Sequence, residues 1–259
     1  MLFKNNGLRI FSRLLCVLAA IALVAGCASN PQSPLDTEAL GRAISIDDVS
    51  YVRARVEAKT ITVNQLASGI GYAAAPMITV AARNASLGVL RYLIAQKADL
   101  NARTPDRDTA LMLAALFRDE DRERNSSSTM RYDQAVRLLV EAGANIEHED
   151  INAYTPLAYA AYAGRDSTAD YLLSKGAKPN ASALGQVAYI NTPLMMAAMQ
   201  GHRNTALQLL RAGANASVRV QNGMTAMEFA KKNRHTHLEQ ILRCAESLRP
   251  GETFRSRCE

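Results

Sequence analysis

Short apolar runs recur along this chain in pairs, each pair punctuated by glycine. The clearest pair spans residues 192–215. Thr192 can cap a helix, and Pro193 suits its first position, where an N–H is not needed. Leu194, Met196, Ala197 and Ala198 make the apolar side of a short helix, and Gly201 breaks the run. Ala206, Leu207, Leu209 and Leu210 make the apolar side of a second helix, and Gly213 ends it at a position suited to a left-handed cap. Two helices this short bury too little surface to be stable alone. The pattern therefore predicts neighbours of the same kind, and copies are present. One starts at Thr155-Pro156-Leu157 and carries Ala160-Ala161, Gly164, Leu172-Leu173 and Gly176-Ala177. Another starts at Thr109-Ala110-Leu111, with Ala114-Ala115, Leu138-Leu139 and Gly143-Ala144-Asn145. A weaker copy starts at Pro76, with Ala81-Ala82, Leu93-Ile94 and Asp99-Leu100-Asn101, and a last one starts at Thr225-Ala226-Met227 without the closing Gly-Ala.

Starts at 76, 109, 155, 192 and 225 give intervals of 33, 46, 37 and 33 residues. The pattern T-P-L-x-x-A-A, then G-H, then L-L and G-A-N, resembles the ankyrin repeat, whose period is 33 residues. The resemblance implies an all-α solenoid of paired short helices with hairpin fingers, about five to six repeats including degenerate caps. On this reading the repeat domain is 37–243, with an N-terminal cap at 37–75. Residues 47–58 read as the second helix of that cap, with Val49, Val52 and Val56 on one face. Residues 65–75 and 181–191 read as long hairpin fingers. The 13 extra residues of the long interval fall between the two helices of one repeat. That segment, 118–131, is highly polar and cannot build a core. It reads as a solvated mobile loop or as a partner-contacting one. Residues 228–246 read as a polar C-terminal cap.

Residues 1–26 contain Lys4, Arg9 and Arg13, no acid, and a 13-residue apolar run too short for a comfortable membrane span. The run ends in Val24-Ala25-Gly26-Cys27. This resembles the lipobox of bacterial lipoproteins, which implies cleavage before Cys27 and lipidation of its sulfur. The alternative is an ordinary secretory peptide with an incidental cysteine. Residues 1–26 are then a signal peptide and 27–36 an extended tether. Ala28 and Ser29 follow the cysteine, where an Asp commonly retains lipoproteins at the inner membrane. The expected location is therefore the periplasmic face of the outer membrane of a Gram-negative cell. Removing the leader takes three of 30 basic residues and leaves 27 against 24 acids. That balance argues against nucleic acid as a partner.

With Cys16 in the leader and Cys27 lipidated, Cys244 and Cys258 remain. In an oxidising periplasm such a pair reads as a disulfide that pins the tail, 244–259, and a metal pair is the alternative.

No nucleophile motif, zinc-binding motif or phosphate-binding loop occurs, so neither an enzyme site nor a cofactor is expected. His202 fills the G-H corner, where the resemblance implies that its ring braces the adjoining turn. His235 and His237 read as exposed cap residues, and the acids of 147–150 as a solvated turn. Function is then expected from a surface. In ankyrin arrays the contact face is made of finger tips and exposed first-helix positions. Carried onto this chain, that face comprises Arg103, Asp106, Asp108, Phe117, Ile151, Tyr154, Tyr162, Tyr189, Met199, Gln200, Arg219 and Asn222. The aromatic members resemble interface hot spots, or else fill gaps between repeats. The implied partner is a protein met beside the membrane by a monomeric module. One form is an immunity protein neutralising an antibacterial toxin of the type VI kind, such as a phospholipase. The other is a scaffold for an endogenous periplasmic enzyme, such as a catalase, or for an envelope assembly factor.

Overall fold

The computed structural model describes residues 34–69, 72–116, 126–180, 192–220 and 223–258. The leader, Cys27, the finger at 181–191, and Phe117 with most of the insertion lie outside the described residues.

Helices α1 (Pro34–Ser45) and α2 (Val49–Glu57) form the first pair, followed by strands β1 (Leu66–Gly69) and β2 (Tyr72–Pro76). Four further pairs follow: α3 (Met77–Arg83) with α4 (Leu87–Ala95), α5 (Ala110–Ala115) with α6 (Ser126–Glu141), α7 (Pro156–Ala163) with α8 (Asp166–Ser174), and α9 (Pro193–Gln200) with α10 (Arg203–Arg211). The array closes with α11 (Ala226–Lys232), α12 (Thr236–Glu246) and the short α13 (Phe254–Cys258). First helices stack on first helices and second on second. The product is an all-α solenoid with one β-hairpin among the described residues.

Four of the first helices, α5, α7, α9 and α11, start where a buried threonine caps them. The hydroxyls of Thr109, Thr155, Thr192 and Thr225 accept from the N–H three residues on. Glu228 returns the bond to Thr225 N at 2.6 Å, completing a capping box. Pro76 has no hydroxyl to offer; there the Thr79 hydroxyl donates to the Pro76 carbonyl instead. Gly164 and Gly201 end α7 and α9 at φ +67° and +81°. A side chain there would also strike a histidine ring in the next unit, His202 or His235. The alanine pairs 81/82, 114/115, 160/161 and 197/198 are fully buried, which lets first helices approach closely. Leu90, Leu139, Leu172, Leu209 and Leu242 fill the layer between second helices.

Two recurring polar contacts set the pitch. Ten positions after four of the five repeat starts, at 86, 165, 202 and 235, a side chain reaches back to a backbone carbonyl of the preceding unit. Ser86 Oγ donates to Ile44 O (2.6 Å) and Arg165 Nη2 to Thr129 O (3.0 Å), while the Nε2 atoms of His202 and His235 meet Tyr162 O and Met199 O. On the finger side, side-chain oxygens of Asn64, Asn101, Glu147 and Asn180 accept from the N–H of Asp99, Asn145, Lys178 and Asn215, all within 2.8–2.9 Å.

The structure corrects three expectations. Residues 34–36 belong to α1, not to an extended tether. Residues 126–131 are not loop but the first turns of α6. Tyr132, Ala135, Val136 and Leu139 are buried at helical spacing, and the helix runs on toward its N-terminus beyond them. Arg131 there donates to Ala85 O, and Tyr132 to Arg83 O. His235 is half-buried and serves as His202 does, 33 residues further on.

Strands β1 and β2 pair antiparallel, with Leu66 opposite Pro76, Ala67 opposite Ala75 and Gly69 opposite Tyr72. Helix α1 lies directly on β1: a Cβ on Gly41 would stand 2.0 Å from Ser68 O. At the other end Cys244 and Cys258 are joined, with 2.08 Å between sulfurs. Phe254 is buried where α13 packs on α10 and α12.

Candidate protein-binding face

The fingers before α5 and α7 are built around one phenol. Tyr159, on α7, places its hydroxyl 2.7 Å from Asp108 Oδ1 and 2.9 Å from Asp150 Oδ2. Asp108 ends one finger and Asp150 lies in the next, and both are buried. The other Asp150 oxygen accepts from the N–H of Asn152 and of Tyr154, at 2.8 and 2.7 Å. The two fingers also meet through backbone, with Ile151 N donating to Asp106 O at 3.1 Å. Asp108 and Asp150 were expected at the surface. They are instead the internal brace of the finger pair, because the half-buried phenol stands within hydrogen-bond distance of both carboxylates and can donate its one proton to either. The two finger tips also adopt a left-handed conformation at Arg107 (φ +66°) and Ala153 (φ +58°), where the last finger uses Gly223 (φ +77°).

Burial pushes the Tyr159 phenol well above its ordinary range, and hydrogen bonding and charge from Asp108 and Asp150 push the same way. Below about pH 10 the phenol is protonated whether the chain is folded or not. Above that range the unfolded chain loses the proton and the folded chain keeps it. Stability should therefore fall as pH rises, by about 1.4 kcal/mol per pH unit for this one group. Tyr159→Phe should cost about 2 kcal/mol at pH 7, since the carboxylate that accepts from the hydroxyl loses a charge-assisted hydrogen bond. It should also shed that part of the alkaline slope. Urea unfolding at pH 7 and above pH 10 tests both; an unchanged slope would show that the phenol does not hold its proton as described.

The structure distributes the remaining expected contact residues. Arg103 and Asp106 are exposed on the finger before α5, and Ile151 stands 62% exposed on the next. Tyr154 and Tyr162, at either end of α7, are half-buried with one side of each packed on the core. Met199 and Gln200 are half-buried at the end of α9, and the Met199 carbonyl accepts from Asn233 as well as facing His235. Arg219 is exposed, donates to Gly223 O and pairs with Glu228 at 3.6 Å. Tyr189, Asn222 and Phe117 lie outside the described residues. The Tyr154 and Tyr162 side chains are therefore partly packed on the core and partly exposed.

His148 adjoins this face. Burial lowers its pKa first, and the nearby Arg103 and Arg107 lower it further against the opposing charges of Asp99 and Glu149. Sequence reasoning missed Tyr159 as the organiser. The available signal was its position four residues after Thr155, following two fingers that each carry an aspartate, Asp108 and Asp150. Among the described residues no group of three or more His, Cys, Asp or Glu could hold a metal ion.

Models for ankyrin repeats match residues 78–183 (three copies) and 157–211 (many copies), together more than half of the chain. The chain belongs to the ankyrin-repeat family. It is 37% identical over 95 residues to a putative ankyrin repeat-containing protein of Treponema pallidum, a match covering 37% of this chain and 31% of that protein. It is 32% identical over 109 residues to ankyrin repeat and KH domain-containing protein mask-1 of Caenorhabditis elegans, covering 42% of this chain and 4% of that one. Oxysterol-binding protein-related protein 1 of Rattus norvegicus is 29% identical over 107 residues, covering 41% of this ankyrin chain and 11% of the relative. The chain thus spans less than a third of the length of each. As an ankyrin array it is a protein-interaction module.

Proposed function

We propose that this ankyrin array is a lipid-anchored capture module on the periplasmic face of an outer membrane, holding a protein partner against its fingers and first helices. Support comes from one conjunction: the lipobox-like run Val24-Ala25-Gly26-Cys27 ahead of a repeat array whose finger pair is braced from within. Such bracing is of use in recognition, because a pre-ordered surface loses less entropy when it binds. In its sharpest form the partner is an incoming antibacterial toxin, and the anchor keeps the array where a membrane-attacking enzyme acts. Metabolic labelling with palmitate should mark the protein, and Cys27→Ser should abolish the label. Pull-down from envelopes exposed to such a toxin should recover it. Recovery of endogenous envelope proteins alone would remove the toxin form and leave a scaffold. The paired change Tyr154→Ala and Tyr162→Ala should weaken capture by about 2 kcal/mol or more. An unaltered affinity, with a melting curve that shows the variant folded, would place the contact surface elsewhere.

A further inference from the structure

Among the described residues, 249–258 are held to the array chiefly by apolar packing and one covalent bond. Among the described residues no hydrogen bond joins 249–258 to the repeats. The polar contacts of the tail are internal: Arg249 N and the Arg257 guanidinium both reach Glu252 at 2.8 Å, and Thr253 and Ser256 cap one another. Arg249, Pro250, Gly251, Thr253, Arg255, Ser256 and Arg257 are exposed. What attaches the tail is the buried Phe254, partly buried Leu248 and Cys258 packed beside it, and the disulfide from Cys258 to Cys244 on α12. One buried ring does not offset the entropy of ordering about ten residues. The covalent link removes much of that entropy from the open state, so it decides whether the tail stays docked.

We infer that the tail is a redox-latched cover for the C-terminal end of the array: docked on α10 and α12 when the Cys244–Cys258 bond is closed, and released when a dithiol reductant opens it. In the opening step the S–S bond breaks, two electrons and two protons pass from the dithiol to the cysteine sulfurs, and the reductant becomes a disulfide. Release leaves the surfaces of α10 and α12 on which α13 packs without the Phe254 ring. The array itself, with its own core, remains folded. Following the export proposed above, the cover closes only after the chain leaves the reducing cytosol. The latch itself does not depend on a partner or on lipidation.

Hydrogen exchange on the purified full chain, with and without dithiothreitol, tests this. Reduction should speed exchange of amides in 249–258 on the order of 100-fold. Amides in 192–211 should be unaffected. Dye binding by 1-anilinonaphthalene-8-sulfonate should rise, and trypsin should cut faster after Arg255 and Arg257. Cys244→Ser with Cys258→Ser should reproduce the reduced state without reductant. Phe254→Ala in the oxidised chain should raise dye binding while Cys258 stays tethered. Unchanged tail protection on reduction would overturn the inference, since packing alone would then hold the tail. Loss of protection across the whole array would overturn it too, since the bond would then support the fold and not a cover.

Discussion

Arg165→Met is expected to destabilise the array by about 2–3 kcal/mol, less than the cost of stranding a fully buried charge, because the Asp133 side chain is 22% exposed. Arg165 is 5% exposed and holds Asp133 of α6 at 2.6 Å. It also donates to Thr129 O in the first turns of the same helix. The substitution keeps a long apolar stem but leaves Asp133 with the Thr168 hydroxyl. The loss comes from an uncompensated carboxylate more than from attraction forgone. Arg165→Met with Asp133→Leu should therefore recover much of the stability. Urea unfolding of the single and paired variants measures this. A single-variant loss below about 1 kcal/mol would mean that water already serves Asp133. At the same step of the repeat other units use serine or histidine. Arginine is needed here because its target carbonyl lies in the longer helix that the insertion lengthened.

Gly41→Ala should cost about 3 kcal/mol, although alanine favours a helix over glycine by about 1 kcal/mol. The new Cβ would meet Ser68 O at 2.0 Å and Ser68 C at 2.9 Å. Both are backbone atoms, so no side-chain rotation relieves the contact. Helix α1 must lift from β1, weakening the burial of Leu40 and Ile44. Gly88→Ala is the control. Its Cβ meets Val49 Cγ2 at 2.6 Å, the end of a side chain that can move, so the loss should be smaller. Hydrogen exchange in residues 34–45 should rise in the first variant and stay near normal in the second. Equal exchange in both would refute the close seating of α1 on the hairpin.

The fold was legible because its signals are local. A threonine before proline, a glycine after eight helical residues and a pair of alanines each act within one turn, and their recurrence dated every repeat from its own residues. The misreadings share a different cause. Asp108 and Asp150 look like solvated finger acids until Tyr159 arrives, 51 residues from the first of them. Residues 126–131 look like loop because their anchors, Ala85 O and Arg83 O, belong to an earlier repeat. Pro34 opens α1 in a stretch whose composition suggests a spacer. His235 could have been placed by its 33-residue distance from His202, but the arginine at position 234, in place of glycine, hides the motif. The contact face was legible only as repeat positions. Whether a ring there packs or projects depends on neighbouring units.

The side-chain ladder from Asn64, Asn101, Glu147 and Asn180 ties each finger to its immediate successor and to nothing beyond. Between rungs the chain length is free: intervals of 33, 46 and 37 residues all carry a rung of the same kind. Such an assembly can be lengthened at one storey without recutting the others. For a surface that must keep pace with a changing counterpart, this is a route by which new contact material can enter while the frame retains its dimensions.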